Sequence, residues 1–454
     1  MSTFLEKRFN LSARGTSVRT EALGGLTTFL TMSYILVVNP AILSQAGLPF
    51  DAVVVGTALA AAIATIAMGV FANAPFALAS GLGINAVVAF DIILGRKLGW
   101  ETGMACVVIE GLIAVVLVVA GLREAVMRAV PNSLKLAIGV GIGIFIALVG
   151  LRQAGIVVNN PATGIGLGEL TNGPPMIAIG GILITAALSA RHVRGAILIG
   201  IFATYLLGAI FGVLDWPSDI ARWPHSGDFS TIGDAWGHLD DALTVALIPV
   251  IFALFMTDFF DTVGTAFAVG TPAGLVDDQG NVKDIKKILL VDSAAAALGG
   301  TMGVSSVTTY VESGAGVSDG ARTGLSSVVT GGLFILAIFF VPVMALLGQG
   351  VEVSDKVFGS PAIAPALVMV GYLMMRLVPG IDWEQPELAI PSFLIIVGIP
   401  MTFDIAAGIG LGVLGYVTVM AVRGKARDVH PLMWALVPLF IAFYAEDWLS
   451  ANVF

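Results

Sequence analysis

An all-α polytopic membrane protein is the fold class this sequence predicts, and three observations carry that reading. Of 454 residues, 57% are hydrophobic and 12% charged, against roughly half and a quarter in soluble domains. Uncharged apolar runs recur along the whole chain, many close to the length of about 20 residues that a helix needs to cross a bilayer. The Lys and Arg residues between these runs fall mostly on one side if every run crosses.

Taken in order, the runs lie at 22–43, 52–71, 75–90, 100–121, 132–151, 174–190, 195–213, 242–267, 287–302, 304–318, 324–347, 360–378, 388–403 and 404–422, fourteen in all. Runs 75–90 and 304–318 are short and polar, and 388–422 divides only at Phe403/Asp404. Loop charge tests the count. With residues 1–21 in the cytoplasm, seventeen of the 22 basic residues fall inside, and Arg96, Lys97, Arg152, Arg222 and Lys356 fall outside. Deleting an early run would invert every later loop and destroy this bias, so the short runs are kept as crossings. The basic N-terminus has no small-residue cleavage site after its first run and reads as an anchor, not a cleaved signal. The protein is therefore expected in the plasma (inner) membrane. Loop 214–241 carries Trp216, Trp223 and Trp236 and is expected outside, at headgroup level. The apolar stretch 431–445, in a tail of 431–454, breaks the even count. It either lies along the membrane surface or packs as an extra helix.

Composition also excludes function classes. A net charge of −9 leaves no basic surface for a phosphate backbone, so nucleic acid is not an expected partner. The single Cys106 rules out an internal disulfide framework and reads as a small buried hydrophobe. His192, His225, His238 and His430 all fall in loops, so neither a midplane metal nor a Ser/His/Asp enzyme is expected.

Two short matches suggest an internal repeat. Leu30-Thr31-Met32-Ser33 resembles Leu254-Phe255-Met256-Thr257, and Ser80-Gly81-Leu82-Gly83 resembles Ser313-Gly314-Ala315-Gly316. The matches pair span 1 with 8 and span 3 with 10, as a seven-plus-seven plan requires, and an odd repeat inverts its second half. Residues 303–324 hold seven Ser/Thr and five Gly, too polar to face hydrocarbon unless buried in protein or lining a cavity. Spans 3 and 10 are therefore expected to be discontinuous. Each would be a short extended segment followed by a half helix whose N-terminal amides point inward.

Ionisable groups within a bilayer are costly and mark function by default. The candidates are Glu110, Asp258, Asp261, Asp292, Glu312 and Asp404, with no intramembrane Lys or Arg evident beside them. A carboxyl shielded in this way can take a proton from one side and release it on the other. Asp258 and Asp261 share a helix face at i, i+3; Glu312 directly precedes the Ser-Gly break. Glu110 reads instead as bonded to a neighbouring helix, and Asp292 and Asp404 as span-end residues. Phe76, Phe259, Phe260 and Tyr310 flank the acids and could stack on a flat heterocycle or pack in the core.

The segments TEALGGLTTFLTMSYILVVNPAIL (20–43), PFALASGLGINAVVAF (75–90), MTDFFDTVGT (256–265), VTTYVESGAGVSDGARTGL (307–325) and LREA…RQAGIV (122–157) resemble the AzgA-like purine permeases, a branch of the nucleobase:cation symporters. The resemblance implies fourteen spans in an inverted seven-plus-seven fold. A core domain (22–121 and 242–347) would carry the substrate against a gate domain (132–213 and 360–422), with a homodimer as one candidate assembly. By motif, Asp258 of DFFDT matches the span 8 acid that contacts the base and Glu312 of TTYVES the span 10 acid, and Gly83 and Asn85 of GLGIN match positions shaping the site; proton coupling is expected at Asp258 and Glu312 as shielded carboxyls. Ser313 stands where the broader family has Asn, a departure that fits the purine branch and argues against urate or ascorbate.

The function expected is import of hypoxanthine, guanine and adenine by proton symport. Substrate-binding candidates are Asp258, Glu312, Asp261, Gly83, Asn85, Phe76, Phe259 and Tyr310; no cofactor is expected, and the coupling ion is H⁺, with Na⁺ the alternative. The rival readings are an anion carrier on the same scaffold, a membrane enzyme and a passive channel.

Overall fold

The structure, a computed structural model, describes residues 2–121, 130–217, 219–244, 247–276, 282–354 and 357–445. Arg123, Arg128, Lys356, the LREA motif and the last residues of the tail lie outside that set. Each of the fourteen apolar runs coincides with a helix, a pair of helices or a strand followed by a helix. Among the described residues, seven helical stretches are long and apolar enough to cross a membrane, from Val18–Ala46 to Ile405–Val422. Six shorter apolar helices accompany them.

Where the runs bend, local chemistry explains the bend. The first run forms Val18–Met32 and Ile35–Leu43, joined through Ser33 and Tyr34. The run at 388–422 separates into Pro386–Thr402 and Ile405–Val422 because Phe403 adopts a left-handed φ of 56°. The Asp404 carboxylate then accepts the Ala407 amide at 2.6 Å as an N-cap. Helix Gly324–Ala337 is capped by a distant residue: the fully buried Glu21 carboxylate accepts the amides of Arg322 (2.8 Å), Thr323 (3.3 Å) and Ser326 (3.3 Å). A carboxylate at a helix N-terminus meets both its unpaired amides and its dipole.

Small residues let helices approach closely where the hydrophobic effect drives little association. Helices Gly173–Ala190 and Ala196–Ile210 are matched reciprocally. A Cβ at Gly181 would lie 1.9 Å from Thr204 Oγ1, and one at Gly200 would lie 1.9 Å from Thr185 Oγ1. Gly181→Ala should therefore destabilise by about 1–3 kcal/mol through overpacking, read as a lower melting temperature in detergent. Thr204→Ala in the same chain should recover part of the loss; an unchanged melting temperature in Gly181→Ala would contradict this packing.

In the connections between helices, two features differ from an all-α chain. Val157–Asn160 pairs with Gly164–Leu167 and Val351–Ser354 with Val357–Gly359, two antiparallel ribbons in the connections. Strands of three or four residues leave too little periodicity to be read from sequence. The tail forms helix Pro431–Tyr444, which buries Met433, Leu436 and Phe440, and the Tyr444 hydroxyl donates to the Ala407 carbonyl. Of the two placements open for it, packing as an extra helix is the one observed.

Loop 214–241 is pinned by Arg222, whose guanidinium reaches Asp228 at 2.6 and 2.8 Å and Asp51 at 3.0 Å. Trp216, Trp223 and Trp236 are all exposed. Burial alone would push the Asp228 carboxyl up, but the Arg222 guanidinium and the His225 amide outweigh it and hold the carboxyl below its ordinary value. A depressed carboxyl stabilises the fold above the unfolded pKa of about 3.9 and loses that contribution as pH falls through the folded value. Limited proteolysis of the loop should thus be slow from neutral pH down to about pH 4 and accelerate only in stronger acid. Arg222→Gln should open it at neutral pH; unchanged cleavage in that variant would refute the clamp.

Candidate functional site

Strands Leu78–Ser80 and Val307–Thr309 meet in the middle of the helical body. They pair antiparallel, with Leu78 opposite Thr309, Ala79 opposite Thr308 and Ser80 opposite Val307. Gly81 N–H to the Ser306 carbonyl and Tyr310 N–H to the Ala77 carbonyl, both 2.9 Å, extend the ladder at each end. All six paired residues are buried. Buried backbone must find partners, and side chains from flanking helices supply them. Thr65 Oγ1 accepts Leu78 N–H at 2.9 Å and donates to its carbonyl at 3.0 Å, while Asp292 accepts Thr309 N–H at 3.2 Å. Each strand runs into a short helix, Leu82–Ala86 or Ser313–Ser318. Antiparallel pairing sends these helices away from opposite ends of the crossing.

Asp258, on helix Ile248–Gly270, is 1% exposed and accepts the Ser306 hydroxyl at 3.2 Å. Glu312, partly exposed, follows strand Val307–Thr309, which Ser306 precedes, and accepts the Tyr34 hydroxyl at 2.6 Å. The two acids therefore attach near opposite ends of segment 306–312. Its extended part, 306–310, spans about 13 Å at 3.3 Å per residue.

Asn85 is fully buried, and neither atom of its side-chain amide has a hydrogen-bond partner among the described residues. Ser80 Oγ and Thr309 Oγ1 are in the same state. Leaving such a group unmet costs about 1–3 kcal/mol, so these atoms mark places for ligand or water. Gly81 offers no side-chain cap to helix Leu82–Ala86, and Asn85 N–H is the amide that bonds back to it, at 2.9 Å. In the other short helix, the amides of Ser313, Gly314 and Ala315 already bond the carbonyls of Tyr310, Val311 and Glu312. The expected inward-pointing amides are therefore met within the chain at Ser313–Ala315.

The remaining candidates divide. A Cβ at Gly83 would lie 2.7 Å from Ile142 Cγ2, so this glycine sets the contact between the short helix and Asn132–Gln153. The Tyr310 hydroxyl donates to the Ser80 carbonyl at 2.5 Å, tying one broken segment to the other. Phe259 is fully buried and stacks on Phe255, centroids 5.7 Å apart; Phe76 is also fully buried. These aromatics make packing contacts. The side chains of Asp261 and Phe260 lie outside the described set.

Sequence reasoning passed over two residues. Tyr34, which holds Glu312, directly follows the repeat match at 30–33 and lies within the segment 20–43, and neither signal singled it out. Asp292 was read as a span-end acid. It is fully buried and receives Thr262 Oγ1 at 2.6 Å and Thr308 Oγ1 at 3.4 Å, locking Ile248–Gly270 and Ile285–Thr301 to the strand. On the N-terminal side, Asp319 accepts the Thr27 hydroxyl at 2.6 Å and pairs with Arg194. Among the described residues no group of three His, Cys, Asp or Glu could hold a metal ion.

Comparison with known proteins adds independent findings. The model of the Permease family matches residues 19–411. The chain is 41% identical to a putative permease of Methanocaldococcus jannaschii, covering 96% of this chain and 97% of the relative. It is 40% identical to the guanine/hypoxanthine permease PbuG of Bacillus subtilis (98% and 99% covered) and 37% identical to the adenine permease AdeP of Escherichia coli (96% and 95%). Among solved structures, the transmembrane domain of the cyanobacterial bicarbonate transporter BicA matches with a TM-score of 0.59 at 14% identity, covering 88% of this chain and 97% of that one. The murine anion transporter Slc26a9 matches with a TM-score of 0.62 at 9% identity, covering 93% and 72%. At such identities the likeness is one of fold.

Proposed function

Because the chain belongs to the Permease family, in its AzgA-like purine branch, we propose that it imports hypoxanthine, guanine and adenine together with protons. The observation that carries this reading is the placement of Asp258 and Glu312 at the two ends of one segment, 306–312, whose extended part 306–310 is buried, with the unmet Asn85 amide one helical turn from Gly81, which bonds Ser306. Purines offer ring and exocyclic N–H groups to carboxylates, and charge-assisted bonds of this kind are stronger than neutral ones. Asn85 can serve both an acceptor and a donor on the base.

In this reading the chain makes fourteen crossings in inverted halves, with spans 3 and 10 discontinuous and the N-terminus cytoplasmic in the inner membrane. The core domain, carrying both strands and both acids, slides against the gate domain. A proton on one acid allows the loaded core to move without a bare charge, which a low-dielectric path would penalise. Gly83 against Ile142 is a contact at which the two domains part.

Uptake into proteoliposomes tests the proposal. Labelled hypoxanthine, guanine and adenine should accumulate when the outside is acidic and stop accumulating when a protonophore collapses the gradient. Equilibration without accumulation would identify a passive pore, and chemical change of the base an enzyme. The anion-carrier reading has only the fold in its favour; competition by sulfate or bicarbonate would be needed to revive it.

A further inference from the structure

Near Gln45, at the end of the helical stretch Val18–Ala46 away from the N-terminus, two adjoining cavities of about 450 and 280 Å³ share Gln45 and Gln153. The smaller one is bounded by core residues Gln45, Phe90 and Leu94 and by gate residues Arg152, Gln153 and Phe403, so it lies between the two moving bodies. Its one cation is placed unusually. Arg96 pairs with Asp91 at 3.5 Å and Arg222 with Asp51 and Asp228. Arg152, by contrast, meets no carboxylate or carbonyl among the described residues; its guanidinium lies over the Phe403 ring, 5.0 Å from the centroid. Phe403 in turn sits edge-on to Phe145 at 5.3 Å, which fixes the ring.

A guanidinium anchored over an aromatic ring presents a planar fork of donors. The complementary ligand edge carries two adjacent acceptors, and in a purine that is the O6/N7 edge of guanine or hypoxanthine. Adenine offers an amino donor beside N7 and cannot satisfy the fork. We propose that this outer cavity is a capture site for 6-oxopurines, with Arg152 reading the O6/N7 edge and Phe90, Leu94 and Phe403 supplying apolar walls. The site stands ahead of the acid-lined one and biases the carrier toward 6-oxopurines over adenine. The inference rests on the purine-import reading above.

The test is the concentration dependence of hypoxanthine uptake in proteoliposomes. Arg152→Gln should raise the half-saturating concentration about tenfold, the lower part of the range for a lost bidentate pair, while the maximal rate holds. Arg152→Lys keeps the charge and loses the fork, so it should be impaired equally; it decides the matter alone if the Gln variant does not fold. Inhibition of uptake by adenine should not weaken in either variant. A half-saturation within twofold of wild type, as expected if lipid fills the cavity, would overturn the proposal. So would full recovery in Arg152→Lys, which would reduce Arg152 to a point charge. Absence of purine uptake in the wild type would instead sink the import reading itself.

Discussion

Glu312→Gln and Asp258→Asn should each lower purine uptake by at least about a hundredfold, close to 2.7 kcal/mol of lost stabilisation. That loss lies within the range for removing a charged hydrogen-bond partner. Both substitutions keep shape. The Gln carbonyl can still accept the Tyr34 hydroxyl and the Asn carbonyl the Ser306 hydroxyl, so the protein should remain folded in the membrane. What the amides cannot do is take up a proton or accept two N–H groups with a full negative charge. The two roles separate experimentally: a variant that still exchanges labelled for unlabelled base but fails to accumulate it has lost the proton carrier. Full uptake in both variants would remove these acids from the mechanism.

The second large effect concerns movement between the bodies. Arg194 lies in the turn between Gly173–Ala190 and Ala196–Ile210, and Asp319 just beyond the short helix Ser313–Ser318 that follows Glu312. In the proposed division their ion pair joins gate to core. If the core must slide to carry its load, a covalent bridge at this point should arrest transport entirely. Arg194→Cys with Asp319→Cys, joined by a short bismaleimide, should lose all uptake, whereas each single variant treated alike keeps it. Cys106 is fully buried, so it should not compete for reagent. Undiminished uptake in the bridged protein would mean that these bodies need not separate.

How far the sequence reached can be argued from particular residues. Helix positions were legible because the apolar runs are long and bounded by charges, Pro or Gly. The Gly-rich, hydroxyl-rich composition of 75–90 and 304–318 signalled extended chain, and both do contain a strand followed by a short helix. That the two strands pair with each other was not legible, because register between segments some 230 residues apart leaves no local trace. Asp292 was misjudged for the same reason. Its partners Thr262, Thr308 and Thr309 come from other elements, and its position eight residues into Ile285–Thr301 looked terminal only because the sequence-derived run began late. The aromatics flanking the acids looked available for stacking. Yet Phe259 has Phe255 for a partner, and Tyr310 spends its hydroxyl on Ser80. Asn85 was chosen by motif, and its unmet amide is an independent physical reason to keep it.

Equilibrium binding of labelled hypoxanthine to the purified protein, compared across wild type, Asp258→Asn and Glu312→Gln, goes directly to whether these two acids hold the base. Saturable binding in the wild type, weakened at least tenfold in both variants while their melting temperatures stay unchanged, is the result this account predicts. Binding of wild-type strength in both variants would place the base elsewhere and contradict it.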